Sequence, residues 1–321
     1  MIYFEPYTIA KSEITSTATE AYDSTYFGAA WKGEWSAGTY TDGDIVWEDI
    51  TIYESATASN TDQPSVGIAK TTPTWIEIGY VNPWRMFDSY VGSDQLAKTS
   101  AAGSLEVEIT TDQISHIALF NIDADDLGIE RINSAGITEW IGIYHILDEA
   151  LAIYDWYDYF YLPYPAIGRD IIVELDTVLS QALSEKLKIT LLKSVGTVSI
   201  SSCFVGYASY SGQTQWDATV DSYNTGDTTT DSWGRTSFVP GKKYSVVKAT
   251  IYIEPGNENY VLRNLSELQN KPAIYDFNND GTEYDILLVY GAITSIGQIF
   301  KGVKNSTIDI EIRGIVQKED I

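Results

Sequence analysis

Ile117-Ala118-Leu119-Phe120-Asn121-Ile122 is apolar at every position except Asn121. A strand with one wet face alternates apolar and polar residues, so a run like this belongs in the middle of a sandwich, covered on both sides. Just upstream, Leu105, Val107 and Ile109 alternate with Glu106 and Glu108, which is the period of a half-buried strand. The same reasoning predicts strands at Gly128–Ile132, Trp140–Ile146, Ile153–Tyr161, Ile171–Leu175, Ile189–Leu192 and Val198–Val205. So many short strands between turn signals predict a mainly β chain whose centre is a β-sandwich or Greek-key jelly roll.

Outward from that centre the organisation changes. A strand is expected at Tyr244–Ile253, then a helix capped by Asn257 with Val261, Leu262, Leu265 and Leu268 at helical spacing. Pro272 stops it, and strands at Ala273–Phe277, Asp285–Ile296 and Ser306–Val316 complete a C-terminal α+β unit over 244–321. On the other side, 29–80 has its own rhythm of indoles, a Gly38–Asp44 turn cluster and short runs at Ile45–Glu48, Ile50–Ser55 and Trp75–Gly79. It is read as a small three-stranded aromatic module. Residues 1–28 are expected to form an N-terminal arm or first strand, and 81–243 the sandwich. Within the sandwich, 207–243 is rich in Ser, Thr, Gly and Asp and reads as a long loop that is functional or pairs with a partner chain.

The 321 residues carry 20 Lys and Arg against 45 Asp and Glu, a formal net charge of −25. Such a surface repels phosphate backbones and anionic lipid, so no nucleic-acid partner is expected. No apolar run approaches the ~20 residues of a membrane span, and Met1–Pro6 lacks the basic start of a secretory signal, so synthesis in the cytoplasm is expected. A single cysteine, Cys203, and two histidines, His116 and His145, exclude an internal disulfide and leave little for a zinc site.

Individual motifs carry little chemistry. Asp276, Asn278 and Asp280 stand at the first, third and fifth positions of an EF-hand-like loop, with Gly281 at the sixth. Position twelve is Leu287 rather than Glu, which favours an Asx-rich hairpin turn over calcium. The run Tyr154–Tyr161 places aromatic rings and two carboxylates on alternating faces. It suits a core or subunit contact through Trp156, Tyr157 and Tyr159, with a glycan platform as the rival reading. Glu34, Glu48 and Glu54 lie near aromatics, but nothing singles out the paired carboxylates of a glycosidase. No nucleophile elbow accompanies either histidine, and His145 in its apolar run is expected to be packed. Cys203 reads as a small buried side chain. No cofactor is expected.

From Trp35 to Gly79 the spacing Trp-x-x-Gly-Thr-Tyr-x-x-Gly-Asp-x-Val, followed by Ile52-Tyr53-Glu54-Ser55 and Trp75-Ile76-Glu77-Ile78-Gly79, resembles the small chitin- and cellulose-binding modules fused to bacterial chitinases. With Asn82-Pro83-Trp84-Arg85-Met86-Phe87-Asp88, Ile117–Ala124, Asp155–Phe160 and Ile308–Ile315, the chain resembles a family of tailed-bacteriophage and prophage tail structural proteins. The resemblance implies a non-enzymatic subunit of a tail tip, baseplate or appendage, localised in the virion and assembled as a homo-oligomer with other tail proteins. It also implies sugar contacts at Trp35, Tyr40, Tyr53 and Trp75, positions partly structural in such modules. Trp216 and Trp233 join the expected interface. The alternative is a receptor-binding tail protein that recognises host surface glycans, and a polysaccharide-degrading tailspike ranks last.

Overall fold

Both faces of the strand Ile114–Ile122 are buried because it is the middle strand of a middle sheet. The computed structural model describes residues 1–19, 21–88, 97–110, 113–146, 169–179, 185–230, 233, 235–239, 243–278, 285–300 and 306–315. The middle sheet orders Arg169–Leu179, Ile114–Ile122 and Ser202–Gly206, all antiparallel. Ile117, Leu119 and Ile122 point to one side, where they meet Leu105, Val107, Ile129, Ile189 and Leu191 of a five-stranded sheet. Ala118 and Phe120 point to the other side and meet Phe4, Ile274, Leu288 and Tyr290 of a larger sheet. From Ile117 to Phe120 each parity supplies one core, which is why no polar residue interrupts that stretch, and Asn121, at φ 59°, breaks the alternation so that Ile122 joins Ile117 and Leu119.

The five-stranded sheet orders Thr138–His145, Asp126–Ile132, Lys186–Ile200, Thr99–Ile109 and Ile14–Ser16. The larger sheet has eight strands, with Ile2–Phe4, Pro272–Asp276, Leu288–Phe300, Ser306–Gly314 and Lys243–Ile253 in succession. Its far face is covered by the helix Glu258–Glu267, which lays Val261 and Leu265 onto Ala249, Ile251, Ile293 and Ile310. Asn257 occupies the cap position without a side-chain cap bond; instead Glu258 accepts the Gly256 N–H at 2.9 Å. The layers thus run five-stranded sheet, three-stranded sheet, eight-stranded sheet, helix. Residues 1–28 stitch the outer layers together: Ile2–Phe4 joins the eight-stranded sheet, Ile14–Ser16 the five-stranded one, and Ala21–Phe27 is helical.

The module has four strands rather than the expected three. Ile45–Glu48, Thr51–Ser55 and Trp75–Tyr80 form the antiparallel set, and Trp31–Glu34 adds a parallel edge strand that its Lys and Gly had concealed. A buried polar knot fastens it to the sandwich. Asn82 donates to the carbonyls of Thr19 (3.1 Å) and Ser100 (2.8 Å) and accepts the Ser100 N–H at 2.8 Å. Asp23 accepts the Asn82 N–H at 2.9 Å and pairs with Arg85, whose Nε also donates to the Tyr80 carbonyl at 3.0 Å.

The second difference concerns 207–243, expected as a loop. It contains paired strands at Ser209–Tyr210, Gln213–Thr214, Thr219–Asn224, Asp227–Thr230 and Thr236–Val239. Their pairing comes from backbone bonds to neighbours, and most of their described side chains stay in solvent, so no apolar alternation announced them.

Candidate functional site

Of the four aromatic positions implied to hold sugar, two are committed to the module's own core. Trp75 is fully buried, its indole N–H donates to the Asp62 carbonyl at 2.9 Å, and Tyr40 packs edge-on against it at 5.4 Å. Gly67 must be glycine for this packing, since a Cβ there would lie 2.5 Å from Trp75 Cδ1. Tyr40 is buried as well and its hydroxyl donates to the Ser36 carbonyl at 2.8 Å. Trp35 and Tyr53 are half-buried against that pair, and burial pushes the Tyr53 phenol up. Asp62 is held below the usual carboxylate range by the Lys70 ammonium and the Thr74 hydroxyl, so it is a brace for the Trp75 loop. Glu48 likewise holds a loop, accepting the Ser65 N–H at 2.8 Å.

The residues weighed for chemistry are placed apart. Ser115 Oγ lies 3.0 Å from His116 Nδ1, while His145 Nδ1 lies 2.6 Å from Asp126. The serine and the aspartate thus belong to different histidines. His145, expected to be packed, is exposed on the edge strand Thr138–His145, because the apolar run around it has one face in solvent. His116 is the buried one, and burial holds its imidazole below the ordinary value. Cys203 is buried and its thiol is pushed up accordingly. Asp276 accepts the Asn278 backbone N–H at 2.9 Å and side-chain amide at 2.8 Å, an Asx turn; Asp280 lies outside the described residues.

Trp156, Tyr157 and Tyr159, with the expected strand Ile153–Tyr161, also lie outside the described residues. Trp216 and Trp233 do not, and they are 81% and 86% exposed. Trp233 belongs to an arm. Thr219–Asn224 pairs with the start of Lys243–Ile253, and Asp227–Thr230 pairs with Thr236–Val239 as a separate two-stranded sheet. The third strand, Ser306–Gly314, pairs only as far as Val246. Beyond that point the pairing is two-stranded among the described residues, Ser222–Asn224 against Lys243–Ser245. The arm's root is braced by Tyr223 stacked on Tyr244 (5.5 Å), with the Arg313 guanidinium 4.1 Å from the Tyr244 ring. Phe238, 77% exposed, is a residue the sequence reading passed over; its only signal was an aromatic among Ser and Thr. Between Ser232 and Lys243 the arm carries Arg235, Lys242 and Lys243 and no acid, while its outgoing half, 219–231, carries Asp221, Asp227 and Asp231.

No family model matches the chain. No curated protein matches it. Among solved structures it is similar to the lectin domain of lectinolysin complexed with Lewis B antigen, at 13% identity and a TM-score of 0.26, over 38% of this chain and 82% of that one. A histidine-substituted form of that domain complexed with Lewis b gives 13% identity and a TM-score of 0.28, over 39% of this chain and 82% of the other. At such TM-scores the matches establish no common topology, and the functional reading rests on this chain's own residues.

Proposed function

We propose that this chain is a non-enzymatic assembly subunit of a bacteriophage tail, joined to further copies of itself and to neighbouring tail proteins through the arm. The observation that carries the assembly reading is the two-stranded ribbon exposing Trp233 and Phe238. A two-stranded hairpin in water is marginal by itself, and large exposed rings on one mark a contact surface. Charge supports a second copy as partner. Residues 219–243 carry Asp221, Asp227 and Asp231 against Arg235, Lys242 and Lys243, so the arm is neutral while the chain as a whole carries −25, and it approaches another copy without the repulsion two body surfaces would feel. The tail setting is supported by the resemblance at residues 35–88. Host-glycan recognition by the module is the weaker reading, because Trp75 and Tyr40 are spent on its core.

Size-exclusion chromatography with light scattering tests it. The intact chain is expected to elute as an oligomer, and Trp233→Ser with Phe238→Ser is expected to give the one-chain mass with an unchanged far-UV circular dichroism spectrum. A wild-type chain that stays monomeric at every concentration overturns the self-assembly reading. For the tail setting, antibody against the arm should label intact virions poorly and disrupted ones well; absence of the chain from purified virions overturns that.

A further inference from the structure

A cleft of about 580 Å³ opens where the module, the N-terminal arm and the stacked sheets meet. Two segments distant in sequence supply its aromatic walls: Tyr7 from the N-terminal arm, and Tyr80, Trp84 and Phe87 from the end of the module and the turn after it. Tyr7 is 45% exposed and the other three are half-buried. Phe204 and Tyr290, both buried and stacked at 4.4 Å, form the floor. Glu5, Lys11, Asp88 and Lys271 contribute polar groups around it. We propose that this cleft binds a neutral glycan of two or three hexose rings.

Size, ring faces and charge each favour that ligand. The volume falls within the range of small-molecule sites. Rings presented from several directions suit the apolar faces of pyranose rings, as they suit other flat ligands. The hydroxyl groups of a sugar need donors and acceptors together, and the cleft offers both. Burial, with Asp88 and Glu77 adding to it, pushes the Tyr80 phenol up, and burial with Asp88 does the same at Tyr290. Both therefore remain protonated donors at neutral pH, beside carboxylate acceptors. Lys271 lies 3.5 Å from Glu5 and Lys11 lies 2.6 Å from Asp49, so the cations are balanced by acids and do not call for an anion. The chain's net charge of −25 further disfavours acidic sugars. A peptide adding to a sheet edge is disfavoured too, because the Tyr7 N–H that would receive it already donates to the Val205 carbonyl at 2.8 Å.

The cleft and the assembly arm use different residues, so the two proposals fail separately. The full-length chain is applied to a printed array of neutral and sialylated glycans, and the strongest neutral disaccharide or trisaccharide is then titrated by calorimetry. Signal is expected on neutral spots only. Tyr7→Ala is expected to raise Kd at least fivefold without changing oligomer mass, and Tyr7→Phe to restore most of the affinity. Trp84→Ala is expected to abolish binding, but it also touches the module's packing, so Tyr7 is the deciding position. The arm variant Trp233→Ser with Phe238→Ser should bind the sugar like wild type. No neutral binding, binding confined to sialylated glycans, or full affinity in Tyr7→Ala overturns the proposal.

Discussion

Arg85 is buried to 2% exposure and its partner Asp23 completely, inside a knot that also takes in Asn82, the Thr99 hydroxyl and main-chain groups. Burial pushes the guanidinium down, and the attraction of Asp23 pulls it back up. Removing the cation strands a carboxylate in a dry site, so Arg85→Met should cost about 3–5 kcal/mol in urea unfolding. Adding Asp23→Asn, which neutralises the stranded group yet still accepts from Asn82, should recover part of that loss. A single-variant cost below about 1 kcal/mol would show the pair to be incidental. His116 gives the pH prediction. Its folded value is depressed from 6.5, mainly by burial and despite Glu174. The unfolded chain therefore binds more protons in the window between the depressed value and 6.5. The stabilisation is complete above about pH 6.5 and is lost as pH falls through that window. The fall in melting temperature between about pH 7.5 and about pH 5.5 should be smaller in His116→Leu than in wild type. Neither environment was legible in the sequence. His116 follows Ser115 and His145 follows Tyr144, and only the strand pairings decide which imidazole is covered.

At the scale of elements, legibility follows burial. Ile114–Ile122, Thr99–Ile109 and the helix Glu258–Glu267 announce themselves because their apolar residues repeat with the period of a covered face. The arm strands do not, since Thr228, Thr229, Ser237 and Phe238 are all exposed and follow no such period. The edge strand Trp31–Glu34 escapes notice for another reason: it is four residues long and only Trp31 is apolar, the inward position two residues on being Gly33. What holds the arm's root is the Tyr223–Tyr244 stack capped by Arg313, a cross-strand pair at register. Tyr244→Ser should therefore loosen the ribbon while sparing the sheet, whose apolar face lies in Val247, Ala249 and Ile251. The expected readout is several-fold faster protease cleavage within 224–243 in the free subunit, with the thermal midpoint of the body shifted by only a few degrees. Unchanged cleavage would mean that the backbone ladder alone fixes the arm.

At the scale of the molecule, the two sandwich cores lie on the two faces of one strand, whereas the module keeps its Trp75 core to itself and shares its second, around Ile45 and Ile52, with Phe27, Val81 and Trp84. Phe120 lies between the three- and eight-stranded sheets, against Phe204 at 5.8 Å, and the neighbouring Leu119 faces the five-stranded sheet. The two faces of Ile114–Ile122 cannot loosen independently, because both hang on one backbone. By contrast, Trp75 packs with Tyr40 and Val46, all within 29–80, and the module reaches the sandwich through Asn82 and Arg85. Truncating either ring removes a large buried side chain, a loss of about 3–5 kcal/mol, so the two variants are matched in size and differ only in where the loss is felt. Hydrogen exchange read by mass spectrometry distinguishes them. Phe120→Ala should lower protection together in Thr99–Ile109, Ile114–Ile122, Pro272–Asp276 and Leu288–Phe300, since opening the middle layer uncovers both neighbours. Trp75→Ala should lower it in Ile45–Glu48, Thr51–Ser55 and Trp75–Tyr80 and leave the stacked sheets as in wild type. If Phe120→Ala instead loosened only the eight-stranded sheet, the layers would be separately folding units, and the central run that dictated the sandwich would be structurally less decisive than its composition suggests.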